Sequence, residues 1–159
     1  MMTPHMTTLI IETFRLNGEL LAAGDRLVSA IGLTSARWQV LGAIEMAPVP
    51  LPVAHIARNM GLSRQAVQRV VNTLAAEGLV AFADNPHHAR AKLAVLSTSG
   101  KRVFDEAMAR QLPWVEGLAK GIGVSDVKTA VSVLRSVREK LQTAAKQRED
   151  QRNVTDEHA

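Results

Sequence analysis

The chain has 159 residues, 47% of them apolar and only 3% aromatic, with 19 Lys and Arg against 15 Asp and Glu for a formal charge of +4. That is one domain's length, sufficient for a core of its own, and the absence of cysteine excludes disulfide scaffolds, thiolate metal sites and cysteine nucleophiles. No run approaches the roughly 18 consecutive apolar residues of a membrane span, and Met1 to Leu9 lacks a signal-peptide pattern, so a cytoplasmic protein with no membrane partner is expected.

Leu9, Ile10, Phe14, Leu20, Leu21, Leu27, Val28 and Ile31 recur every three to four positions and predict a helix from about Thr7 to Ile31. Gly18 and Gly24 each weaken it by about 1 kcal/mol relative to alanine, so packing must hold it. A second helix follows a Thr34 or Ser35 cap and carries Arg37, Trp38, Val40, Leu41 and Ile44, until Pro48, Pro50 and Pro52 stop it. Val53 to Met60 reads as a short helix, Gly61-Leu62 as a turn, and Ser63 to about Glu77 as a longer helix ended by Gly78. Two strands, Leu79 to Ala83 and Lys92 to Leu96, flank the polar loop Asp84 to Ala91 and form a hairpin. Helical periodicity returns from Ser99, and Pro113 is expected to kink or break that helix. A last helix begins near a Ser125 cap; beyond about Gln142 the chain is charged, and a frayed helix end passing into disorder is expected.

Charge is unevenly placed. Met1 to Ala54 has three basic and four acidic residues, and Val103 to the end has nine of each. His55 to Arg102 has seven basic against two acidic. The excess therefore lies over the middle third, where a polyanion would be met.

That segment has the form of a helix-turn-helix. Ala57 is small where two helices would cross, and Gly61 stands where the turn needs a positive φ. Ile56, Met60, Leu62, Val67 and Val70 supply apolar contacts, and Ser63 can cap the second helix. At about 100° per residue, Gln65, Gln68, Arg69 and Asn72 share one face, opposite Val67, Val70, Val71 and Leu74. Arginine pairs bidentately with guanine, and Gln or Asn with adenine, so this face can read base edges in a major groove. An ordinary solvated helix would mix in acidic residues, and none occurs between Leu62 and Glu77. Ser63 and Arg64, at the helix start, and Lys92, at the base of the hairpin, complete the candidate DNA-binding set with Arg90 near the loop tip. By itself the loop fits a DNA-contacting wing and an ordinary polar loop equally well.

The stretch Arg58-Asn59-Met60-Gly61-Leu62-Ser63-Arg64-Gln65, the helix end Leu74-Ala75-Ala76-Glu77-Gly78-Leu79-Val80, and Asn85-Pro86-His87-His88-Ala89-Arg90-Ala91-Lys92 leading to Leu96-Ser97-Thr98-Ser99-Gly100 resemble the winged helix-turn-helix of the MarR family of bacterial transcription regulators. With the flanking helices in the family's order, the resemblance covers almost the whole chain. It implies a homodimer joined by N- and C-terminal helices that binds a palindromic operator and represses nearby genes until a small ligand intervenes. It also makes the helix from Ser63 the recognition helix and Arg90 the wing-tip minor-groove residue. One departure is visible: the family often has an acidic residue and two arginines at the wing tip, whereas His88-Ala89-Arg90 stands here, so the usual bracing of the wing is missing.

The expected fold is mainly α with a small β-hairpin: an N-terminal dimerisation helix over 1–33, the winged helix-turn-helix over 34–100, C-terminal dimerisation helices over 101–145 and a disordered tail over 146–159. The outer helices' apolar stripes favour mutual burial in a two-fold dimer, with closure of a monomer core as the alternative, whereas Trp38 fits plain core packing at least as well as lining a pocket for a small apolar or aromatic effector. The five histidines, His5, His55, His87, His88 and His158, offer no spacing that puts three ligands on one face; no metal, cofactor or catalytic group is expected. The function these features predict is a ligand-responsive repressor that binds double-stranded DNA; the alternative is a winged-helix dimer serving as a protein–protein adaptor.

Overall fold

The computed structural model describes residues 3–156. Its elements are α1 (Thr3–Val28), a 3₁₀ turn (Ser29–Ile31), α2 (Ser35–Glu45), β1 (Leu51–Pro52), α3 (Val53–Met60), α4 (Arg64–Ala76), β2 (Val80–Ala83), β3 (Leu93–Leu96), α5 (Thr98–Ala119) and α6 (Val124–Asp156). The chain divides into two compact units, Met1–Trp114 and Val115–Ala159.

The core belongs to the first unit. Val28, Val40, Leu41, Ile56, Val67, Val71 and Leu74 are the largest fully buried side chains, drawn from α1 through α4. Three turns close with the same local chemistry. After the 3₁₀ turn, α3 and α4, a glycine at φ near +70° (Gly32, Gly61, Gly78) lets the next residue's N–H reach back to the last free carbonyls. Thr34 caps α2 by accepting from the Arg37 N–H, and Ser63 caps α4 by accepting from the Ala66 N–H.

The sheet has three antiparallel strands in the order β1-β3-β2, one more than the predicted hairpin. β1 is only Leu51–Pro52, paired with Ala94 and Leu93, and its two residues give no alternating pattern to read. Proline fits there because the strand is an edge. In the β2–β3 ribbon, Val80 faces Leu96 and Ala83 faces Leu93.

Further positions depart from the sequence reading. Leu62 is half exposed instead of packing between helices, because the left-handed Gly61 turns the chain outward there. α5 continues through Pro113, which removes only the bond that the Ala109 carbonyl would accept, while the turns on both sides remain intact. α6 starts at Val124, ahead of the predicted Ser125 cap, with Asp126 and Val127 N–H groups bonded to the Gly123 carbonyl. It also runs on to Asp156, so most of the tail predicted over 146–159 is helical. The stretch Ala144-Ala145-Lys146-Gln147-Arg148-Glu149 contains strong helix formers and neither Gly nor Pro. Residues 157–159, and with them His158, lie outside the described residues. In the second unit Val115, Leu118, Ile122, Val127, Val131, Leu134 and Leu141 are all exposed.

Candidate nucleic-acid interface

The recognition-type helix α4 is pinned by its buried side, where Val67, Val71 and Leu74 are at most 1% exposed. That fixes which residues face out. Arg64, Gln65, Arg69 and Asn72 are exposed and Gln68 is half-buried, so the face laid out on the helical wheel is the face presented. Gln68 donates through Nε2 to Asn72 Oδ1 at 2.9 Å, one turn on, which orients both amides along the helix. Ser63 is committed to the cap, with its side-chain oxygen 3.2 Å from the Ala66 nitrogen.

The hairpin loop is braced, and the agent is Asn85. Its Nδ2 donates to the Ala91 carbonyl at 2.8 Å across the loop, while Oδ1 accepts from the His87 N–H at 3.0 Å. Backbone bonds from His88 to Asn85 and from Ala91 to His88 complete the loop, and Lys92 pairs with Asp84 at 3.1 Å at its base. An Asx-type turn thus replaces the ion-pair bracing missing from His88-Ala89-Arg90. Asn85 was not among the sequence candidates, although Asn followed by Pro is a recognisable turn signal.

Between α4 and this loop lies a groove of about 490 Å³. It brings together four of the predicted residues, Arg64, Gln68, Arg90 and Lys92, with others that were not candidates in the sequence, among them His88 and Phe82. Phe82 is 40% exposed on β2, an unusual place for a large aromatic ring on a monomer surface. Among the described residues Arg64, Arg69 and Arg90 form no ion pair, so their guanidinium donors are free for an external anion. Gln65, Arg69 and Asn72 are not part of the groove wall and stand on the open face of α4.

Trp38 lies elsewhere, half-buried on α2. It lines a second cavity of about 570 Å³ with Gly42 of α2, Met46 just beyond that helix, Met60 of α3, and Phe104, Met108 and Gln111 of α5. Among the described residues no three of His, Asp and Glu are grouped as metal ligands would be, and no single helix is long and apolar enough to cross a membrane.

A model of the MarR family matches residues 31–91. An uncharacterised protein of Mycobacterium tuberculosis is 32% identical over 134 residues, covering 84% of this chain and 92% of that protein. The transcriptional activatory protein BadR of Rhodopseudomonas palustris is 32% identical over 84 residues, 52% of this chain and 48% of BadR. Among solved structures, CouR of Rhodococcus jostii RHA1 bound to p-coumaroyl-CoA superposes with a TM-score of 0.70 at 26% identity, over 77% of this chain and 86% of CouR.

Proposed function

The chain belongs to the MarR family of transcription regulators, and from that premise we propose that it binds a palindromic operator as a homodimer and releases it in response to a small effector. The observation that carries this reading is the groove in which Arg64 and Gln68 of α4 meet Arg90 and Lys92 of the wing. Phosphates along one strand would lie against Arg64, Arg90 and Lys92, while Gln65, Gln68, Arg69 and Asn72 reach base edges in the major groove. Phosphate contacts fix register and base contacts supply specificity; Gln68 stands where the two sets meet, lining the groove, while Gln65, Arg69 and Asn72 lie on the open face of α4.

The homodimer is supported by the exposed apolar faces of α1, α5 and α6. Phe14 is 74% exposed and Leu112 62%, on helices that already carry several other exposed aliphatic residues. Mutual burial in a two-fold dimer would cover these faces and could set two α4 helices roughly 34–36 Å apart, one turn of DNA. On this reading 1–33 and 101–145 are the dimerisation segments and 34–100 the DNA-binding lobe. The cavity around Trp38 supports an effector site, given that CouR holds p-coumaroyl-CoA. BadR is named an activatory protein, whereas for this chain repression is the outcome expected where the operator overlaps its own promoter.

The test is selection of bound fragments from genomic DNA followed by footprinting. A two-fold symmetric site, with affinity falling steeply as salt rises, is expected. Salt-insensitive or absent DNA binding would overturn the reading in favour of a protein–protein adaptor.

A further inference from the structure

We infer that Phe82 is a nonpolar DNA contact. Its ring packs against the C–H surface of a nucleotide, the deoxyribose or a thymine methyl, on the strand whose phosphates lie against Arg64 and Arg90. This rests on the reading of the chain as a DNA-binding regulator and adds an uncharged residue to that interface.

The placement follows from the strand. Side chains alternate between faces along β2, so Phe82 shares a face with Val80, two residues earlier. Val80 is 4% exposed in the core, whereas Phe82 is 40% exposed. Across the sheet Phe82 pairs with Ala94, whose methyl cannot cover a ring. The core-facing side of the strand therefore ends in an uncovered ring, and that ring lines the groove between α4 and the wing. Pro52, Val53 and Ala54, around the start of α3, extend the apolar surface of the same groove.

The rest of the lining has the opposite character. Arg64 and Gln68 come from α4, and His88, Arg90 and Lys92 from the wing; among the described residues no acidic side chain lines the groove. The one cation–ring contact among them is Lys101 with Phe104, so neither Arg64 nor Arg90 is stacked on Phe82. An uncovered ring beside unpaired guanidinium groups suits an occupant that carries negative charge and nonpolar surface side by side. A DNA strand has both in every nucleotide. Each phosphate adjoins a sugar with apolar carbon edges, and thymine adds its C5-methyl in the major groove. The groove is also continuous with the base-reading face, because Gln68 lines it and bonds Asn72 on the open side of α4. A strand seated over Arg64 and Arg90 would take the ring out of water, which favours binding without adding charge.

The test uses the purified full chain and a synthetic duplex of the footprinted site, followed by fluorescence anisotropy over a salt series. Phe82→Ala is expected to bind about tenfold more weakly, with an unchanged slope of log affinity against log salt because no charge is lost. Phe82→Leu keeps apolar bulk and should recover most of the affinity. Replacing thymines one at a time by deoxyuridine removes only the methyl. A loss of about threefold at one position per half-site that vanishes in Phe82→Ala assigns the contact to thymine; no loss that depends on Phe82 assigns it to deoxyribose. A second readout needs no alanine variant and stands if that variant fails to fold. The chain has three phenylalanines, Phe14, Phe82 and Phe104, so 4-fluorophenylalanine labelling gives three fluorine resonances. The Phe82 signal, assigned from Phe82→Leu, is expected to shift on adding the duplex, while that of buried Phe104 stays in place. Wild-type affinity in Phe82→Ala overturns the proposal, as does a lowered salt slope, the mark of displaced arginines. So does a Phe82 signal unmoved by saturating duplex, the result expected if the groove takes an acidic protein instead. A wild-type chain that binds no DNA overturns the regulator reading along with the proposal, whereas DNA binding that ignores Phe82 overturns the proposal alone.

Discussion

Gln68, Arg69 and Arg90 are all polar residues of one surface, yet they should fail differently when removed. Arg69→Ala or Gln68→Ala should cost about 1–3 kcal/mol against the preferred operator and relax base preference at one position per half-site. Arg90→Ala should weaken binding across all sequences and lower the slope of log affinity against log salt by about one per wing. Competition binding with single-base operator variants over a salt series separates the two outcomes. Asn85 acts on the wing without carrying charge. Because its amide makes two of the loop's bonds, Asn85→Ala should loosen the wing at about 1 kcal/mol per bond lost. Faster hydrogen exchange confined to residues 84–92, with weakened DNA binding and unaltered base preference, is the expected result; unchanged exchange there would remove Asn85 from its bracing role. The polar face of α4 was legible from the sequence because a helical period fixes a face locally. Asn85's role was not, because its partner is a backbone carbonyl six residues away.

Between elements, two glycines matter for what a side chain would strike. At Gly24 a Cβ would lie 2.2 Å from Ser35 Oγ, where α1 crosses the start of α2. Ser35 there is 4% exposed, its N–H bonded to Asp25 Oδ1 and its hydroxyl to the Leu21 carbonyl. At Gly100 a Cβ would lie 1.9 Å from the Leu79 carbonyl oxygen, which belongs to rigid backbone. Gly24→Ala, which raises helix propensity, should nonetheless destabilise by about 1–3 kcal/mol, and Gly100→Ala by more, as measured by denaturant midpoint. The Arg37–Glu77 pair links the start of α2 to the C-terminal cap of α4. Arg37's side chain is 19% exposed and Glu77's 45%, so partial screening applies. Glu77→Gln should cost about 1–2 kcal/mol, less than breaking a fully buried pair, and the loss should shrink when measured in high salt.

For the whole molecule, the outstanding physical fact is the exposed apolar surface of the outer helices. Phe14, Leu16, Leu20 and Leu21 are exposed on α1, and Val127, Val131, Leu134 and Leu141 on α6. Phe14→Asp should leave the protomer folded, because that ring contributes nothing to its core, and should shift sedimentation from dimer to monomer. Operator affinity should then fall by about 100-fold or more, since each half-site would be held alone. A variant that sediments as a dimer with wild-type affinity would remove α1 from the interface.

The sequence by itself determined the helix-turn-helix, its polar face and its location in the basic third of the chain. Its determinants are local: a cap at Ser63, a left-handed glycine at 61, a 3.6-residue period and a charge count. Tertiary structure alone decided what depends on partners distant in sequence. It paired Leu51 with Ala94 as a third strand, set Gly24 against Ser35, joined Phe82 and His88 to Arg64 in one groove, and engaged Arg37, Lys101 and Arg110 with carboxylates. A cation's availability depends on which acid the fold places beside it, and composition counts charges without pairing them.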